Sequence, residues 1–379
     1  MKTLTSRRVA RLSGAALVGS LALSACGSDN NSTSTAGSGG DASSTSGSAN
    51  TACAKGTLSG EGSTAQQNAI EEVISQFQDA CEGATVNYNP TGSGAGIKQF
   101  NAGQVDFAGS DSALKTEMKD GVVEQAAADK QCGSPAWNLP MVTGPIAVAY
   151  KLNGVDKLIL TPDVIAKIFL GQITTWNDPA IAKVNPGVTL PSTAVKVFFR
   201  SDESGTTENF TKYLKGAAPK VWTADPAKKW TGKGEGKEKT AGVAGAVKAT
   251  EGGITYAEWS AAKDNNLSMA QVDNGAGPVT LTGESAGKAV AAAKQVGTGN
   301  NIKLSLDYTT KAPGTYPIVL VTYEIVCSKG KDPAKAKLLQ SFLKQFSSPE
   351  QQKALETIGY APLPAEVATK VTSAIDALS

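Results

Sequence analysis

Phe198–Phe210, FFRSDESGTTENF, is the stretch on which the reading of this chain turns. Arg200, Asp202, Glu203, Ser204, Thr206 and Thr207 crowd around a single glycine, Gly205. The apolar run Val195, Val197, Phe198, Phe199 leads in like a strand, and Phe210 and Leu214 lead out at helical spacing. A strand-to-helix junction this rich in hydroxyls and charges is either a capped helix with a neutralised ion pair or a grip on a ligand. Two further junctions share its make-up: GEGST (60–64) before the Ile70 segment, and TGSGAG (91–96) before Ile97.

Outward from these junctions, strands and helices alternate. TLSG and TVNYNP read as short strands flanking QQNAIEEVISQFQDA, where Ile70, Val73, Ile74 and Phe77 recur at the spacing of an amphipathic helix. GIKQFNAG reads as a second short helix and VDFAGS as a third strand. PIAVAYKL (145–152) and YPIVLVTYEIVC (316–327) read as longer, more buried strands. A closing helix runs through Leu338, Leu339, Phe342, Leu343 and Phe346. Such alternation predicts an α/β architecture with largely parallel sheets.

In open α/β sheets, ligands lie beyond the carboxyl ends of the strands. The backbone N–H groups that open a helix have no partner within it, and the helix dipole adds to their attraction for anions. Ser and Thr also cap ordinary helices, so one such junction carries little. Three glycine-rich ones together, one bearing an arginine that can offer a bidentate fork, point to anion binding. On this reading Asp202 orients the Arg200 guanidinium while its remaining donors face the ligand. GKGEGKEKT (232–240) approaches a phosphate loop in composition only and reads as a solvated loop. The chain contains no histidine, which removes Ser-His-Asp hydrolysis and the usual zinc ligands. A Ser-Lys dyad is the one nucleophile arrangement left open.

The 379 residues are enough for two globular domains, and a net charge of +2 favours neither nucleic acid nor a membrane surface. Lys2, Arg7, Arg8 and Arg11 precede the short apolar run LSGAALVGSLAL, an export signal too short to span a bilayer. Residues 27–52 carry no large apolar side chain and read as a flexible tether, with a reach of roughly 25–30 Å. Four cysteines follow, in a chain marked for export, where disulfides form. They allow three pairings. Cys53 precedes the first strand and Cys81 the second, and adjacent parallel strands start at the same sheet edge. That favours Cys53–Cys81 and leaves Cys132–Cys327, with free buried thiols as the alternative.

The segments SGEGSTAQQNAI, VNYNPTGSGAGIKQF, GQVDFAGSDSAL, TTWNDPAIAKVNPG, RSDESGTT, GGITYAEW and YPIVLVTYEIV resemble, in order and spacing, the phosphate-binding proteins of bacterial ABC importers. LSAC (Leu23–Cys26) likewise resembles a lipoprotein signal. The resemblance covers about residue 57 to the C-terminus. It implies a two-domain clamp of the type II periplasmic-binding-protein kind that is not an enzyme and has no cofactor or metal. The implied parts are a signal peptide 1–25, lipidated Cys26, a tether 26–53, a discontinuous domain 54–143 plus 317–379, and a second domain 144–316. The apolar runs 145–152 and 316–327 become the hinge crossovers. Inorganic phosphate would be held by Thr64, the N–H of Ala65, Ser93, Asp111, Arg200, Ser204, Gly205 and Thr206, with Asp202 supporting Arg200. A monomer anchored by lipid (palmitate) on the outer face of the cell membrane, of Gram-positive type, would hand phosphate to the permease subunits. A carrier of another, sulfate-like oxyanion and a surface adhesin or signalling protein are the alternatives.

Two positions bear on that reading. A carboxylate buried beside an anion repels it unless a hydrogen lies between them. Phosphate keeps a P–OH at neutral pH and sulfate does not, so Asp111 would set the specificity. Glu203 stands where relatives commonly have glycine, and its charge must point away from the anion.

Overall fold

The computed structural model describes residues 53–118 and 121–379. The expected signal peptide 1–25, Cys26 and nearly all of the 26–53 tether lie outside the described residues. Among the described residues, no helix is long and apolar enough to cross a membrane.

A nine-stranded sheet organises the described chain. Its strands lie in the order Ala84–Pro90, Gly56–Gly62, Phe107–Ser110, Val319–Cys327, Ala136–Tyr150, Gly253–Glu258, Lys196–Arg200 and Glu235–Lys237, and the short Ser268–Met269 also pairs with Ala136–Tyr150. The strands at each end are parallel to one another. The middle is antiparallel, a departure from the largely parallel sheet expected. The cause lies in Ala136–Tyr150 and Val319–Cys327, where one strand carries the chain away from the first end and the other brings it back. Ala136–Tyr150 changes partner midway, pairing through Pro145 with Val319–Cys327 and from Ile146 onward with Gly253–Glu258.

Two apolar cores flank this exchange. One gathers Leu58, Ile70, Val73, Phe77, Phe107 and Met141 with Phe342, Phe346 and Ile375. The other gathers Ile146, Ile165, Trp176, Phe210, Tyr213 and Tyr256 with Tyr316 and Ile318. The predicted amphipathic helix is Gln67–Ala80, and it buries Ala69, Ile70, Val73 and Phe77. Phe77 meets Phe342 edge-on at 5.5 Å, and each such buried ring contributes about 2–3 kcal/mol through its removal from water. Phe342 belongs to Pro333–Ser347, a helix that Pro333 opens and Asp332 caps by accepting from the N–H groups of Ala334 and Lys335. The cysteines pair as Cys53–Cys81 and Cys132–Cys327, the pairing favoured from the sequence, with Cα atoms 5.3 Å apart in both.

Candidate functional site

All three Gly/Ser/Thr junctions lie at the carboxyl ends of their strands, and they meet between the two cores. The backbone N–H of Gly94 donates to the carbonyl of Glu203 at 3.0 Å. A Cβ on Gly205 would stand 2.6 Å from the Ser93 hydroxyl and 2.6 Å from the Asp111 Cβ, so only glycine lets the helix Gly205–Ala217 start this close to the opposite lobe. Gly92, at φ 103°, is likewise pressed against the Asp202 carboxylate.

Capping differs from junction to junction. At Gln67–Ala80 and at Ser93–Asn101 no side chain caps the helix. Their hydroxyls turn instead to Asp111, which follows the strand Phe107–Ser110 and is 3% exposed. Ser63 donates to its Oδ1 at 2.5 Å, Thr322 to the same oxygen at 2.8 Å, and Ser93 to its Oδ2 at 3.0 Å. Asp111 thus has three hydroxyl donors from three separate elements and, among the described residues, no cation bonded to it. Burial pushes its pKa up to about 6, and the nearby Glu258 charge adds to that, while the hydroxyls hold it down. It is therefore mainly ionised at neutral pH. A helix cap at Asp111 is ruled out, because the next helix along the chain is Glu124–Cys132.

The Arg200 junction is capped and also carries a buried ion pair. Ser204 caps its helix by accepting from the Thr207 N–H at 3.2 Å. Arg200 gives Asp202 a two-pronged pair, Nε to Oδ1 at 2.7 Å and Nη2 to Oδ2. Burial works against charge on both groups, but their pairing keeps Arg200 above and Asp202 below the ordinary value. The Lys239 N–H fixes Asp202 from a third side at 2.9 Å, and Lys239 takes the left-handed φ of 64° to do so. Arg200 Nη1 donates to Thr240 at 3.1 Å, and the Thr240 hydroxyl lies 2.8 Å from that of Thr64 across the cleft. Thr206 donates its hydroxyl to Glu258.

The structure brings Thr64, Ala65, Ser93, Asp111, Arg200, Asp202, Ser204, Gly205 and Thr206 into one buried neighbourhood. The Ala65 N–H is taken by Ser63 Oγ at 3.0 Å, and its side chain packs into the far lobe's core. Glu203 turns toward Lys98 at 2.7 Å and Lys229 at 3.2 Å. Those lysines hold its carboxyl below the ordinary range despite partial burial. Four residues escaped the sequence reading: Ser63, Thr240, Glu258 and Thr322. Thr240 closes the stretch read as a solvated loop, of which 235–237 is a strand beside Lys196–Arg200. Thr322 and Glu324 did leave a signal, being polar residues two apart on one face of an apolar strand.

A two-lobed α/β fold with such a site at its waist is that of a solute-binding protein, and the comparisons agree. Residues 47–350 match the model of the PBP superfamily domain. The chain is 46% identical over 372 residues to "Phosphate-binding protein PstS 3" of Mycobacterium tuberculosis (strain ATCC 25618 / H37Rv), covering 97% of each. It is 32% identical over 329 residues to "Phosphate-binding protein PstS" of Xylella fastidiosa (strain Temecula1 / ATCC 700964), covering 84% of this chain and 85% of that one. Among solved structures, a high affinity periplasmic phosphate-binding protein (PfluDING) bound with phosphate superposes with a TM-score of 0.69 at 20% identity, over 84% of this chain and 93% of the other. A putative phosphate ABC transporter substrate-binding protein from Clostridium perfringens gives 0.58 at 18%, over 82% and 100%. The chain therefore belongs to the PBP superfamily and, within it, to the family of the PstS phosphate-binding proteins. Its fold is the two-domain, type II α/β clamp.

Proposed function

We propose that this protein captures inorganic phosphate outside the cytoplasmic membrane and delivers it to the permease of an ABC importer. The observation that carries the reading is Asp111: a buried carboxylate with hydroxyl donors alone, facing an arginine already matched by its own aspartate. Such a site has no surplus positive charge with which to hold a fully ionised anion. It suits an anion that brings its own hydrogen. Thr64, Ser93, Ser204, Thr206 and the N–H groups of Ala65 and Gly205 complete the proposed ligand set around Asp111 and Arg200, the Ala65 N–H exchanging Ser63 Oγ for the anion and Asp202 orienting the guanidinium. Binding draws the lobes together, because one small anion needs donors from both.

The same reading assigns the lobes to 54–143 plus 317–379 and to 144–316, with the crossovers as hinge. The change of strand partner at Pro145/Ile146 supports the first of these boundaries. It further assigns a cleaved signal 1–25, lipid on Cys26, a tether 26–53, and a monomer without catalytic activity on a membrane of Gram-positive type. Calorimetric titration of the purified protein, stripped of bound anion, with phosphate and then sulfate tests the central claim. One-to-one phosphate binding with sulfate silent is expected. Equal binding of both overturns the phosphate assignment in favour of a general oxyanion carrier, and turnover of a chromogenic phosphoester overturns the assignment of no catalysis.

A further inference from the structure

Glu258 has no role in the reading above, yet it sits at the site. It ends the strand Gly253–Glu258, is 1% exposed, and accepts the Thr206 hydroxyl on Oε1. No donor reaches its Oε2, among the described residues. A hydroxyl has one hydrogen. With that hydrogen spent on Glu258, the Thr206 oxygen faces the site as an acceptor, where a phosphate-holding threonine would ordinarily donate.

Charge points the same way. The carboxylates Asp111, Asp202 and Glu258 surround the Arg200 cation; Asp111, Glu258 and Arg200 are almost fully buried and Asp202 is partly so. Each further negative charge on the ligand is therefore unfavourable. We infer that Glu258 is a positioning residue that turns Thr206 into a second hydrogen-bond acceptor, so that the site takes phosphate as its monoanion, H2PO4⁻, in preference to HPO4²⁻. One P–OH then donates to Asp111 and the other to Thr206 Oγ. This inference rests on the phosphate reading.

The charged and titratable groups around Glu258 are Arg200 on the neighbouring strand, Asp111 across the cleft, Tyr360 from the C-terminal segment and Tyr256 on its own strand. The tyrosines stay neutral below pH 9, since burial lifts both. Glu324, beside Asp111, does titrate in the test window and is common to all variants compared.

The test is phosphate affinity between pH 7 and 9, by titration calorimetry, in the intact protein and in Glu258→Gln and Thr206→Val. Above pH 7 Asp111 is ionised and needs only one P–OH, so a site satisfied by one hydrogen gives the same profile in all three proteins. The expected result is an affinity for total phosphate that falls in the intact protein as the monoanion is lost, by about fourfold from pH 7 to 8 and about tenfold from pH 8 to 9. Both variants should show a clearly shallower fall, whatever their absolute affinity. Thr206→Val leaves every carboxylate in place and so also guards against misfolding of Glu258→Gln. A flat profile in the intact protein, or the same slope in all three, overturns the inference. Absence of phosphate binding by the intact protein at every pH would instead sink the functional reading on which it rests.

Discussion

The two jaws of the cleft hold charge by opposite means. On the first lobe, Asp111 is surrounded by the hydroxyls of Ser63, Ser93 and Thr322 and, among the described residues, has no cation bonded to it. On the second, Arg200 is locked to Asp202 by two hydrogen bonds and steadied by Lys239 and Thr240. On the proposed reading, a carboxylate among hydroxyls asks whether an anion carries hydrogen, and a pre-paired guanidinium asks only where it sits. The difference separates specificity from positioning, and substitutions can be chosen to strike either one.

The largest effect should come from the first jaw. In Asp111→Asn the amide supplies hydrogen to a fully ionised anion, so sulfate no longer meets a facing acceptor. Discrimination between phosphate and sulfate should collapse by about 10³–10⁴, the range over which polar pockets reject analogues lacking their partner. Paired titrations with the two anions read this directly, and an unchanged ratio would remove Asp111 from its role. Next in size is Arg200→Met on the second jaw. It strands Asp202 in a largely buried site, and breaking a buried pair from one side costs about 3–5 kcal/mol. Both anions should then weaken alike, by about a hundredfold or more, with a lower melting temperature. A change in the phosphate-to-sulfate ratio here would erase the division of labour between the jaws.

That division was only half legible in the sequence. The alternation of strands and helices and the three glycine-rich junctions could be read locally, because each depends on residues close together in the chain; Asp111 was reached only through the family resemblance. The supports of Asp111 and Arg200 could not. Thr322 lies 211 residues from Asp111, and Thr240 lies 176 residues from Thr64. These partners are brought together by strand order and lobe contact, which leave no local periodicity. The antiparallel centre of the sheet was missed for a related reason: whether a buried strand goes out or comes back is settled by its neighbours, not by its composition. Phe198–Phe210 is a capped helix start through Ser204, and the same stretch supplies Arg200 and Thr206 to the proposed grip.

A third difference between the jaws lies beneath them. Behind Asp111, Glu324 is fully buried, and among the described residues only the Gln66 amide comes near its carboxyl, without a well-formed hydrogen bond to either oxygen. Burial pushes its pKa up to about 8, and the Asp111 charge adds to the rise. An acid whose folded pKa lies above its unfolded value binds more protons folded than unfolded, so stability falls as pH rises between the two values. For Glu324 that window runs from the ordinary 4.5 to about 8, and for Asp111 from 3.8 to about 6. At about 1.4 kcal/mol per pH unit for one group, the anion-free protein should lose several kcal/mol between pH 5 and 8. Glu324→Gln should flatten that loss and be the more stable form at pH 8. Melting curves across the range decide it; equal slopes would mean the carboxyl is not buried as described.

The smallest effect tests whether the rim of the cleft contributes to the grip. Glu203 bridges Lys98 of the first lobe and Lys229 of the second, but both lysines are more than two-thirds exposed. Exposed pairs contribute about 0–1 kcal/mol, and salt weakens them. Glu203→Gln also removes a negative charge near the ligand, which favours the anion and offsets the lost contact between lobes. Phosphate affinity should therefore change by less than about fivefold, and the residual difference should shrink further at high ionic strength. A hundredfold loss that salt abolishes would mean that closure is held by charges at the rim, and the contrast between the two inner jaws would then describe selectivity without describing affinity.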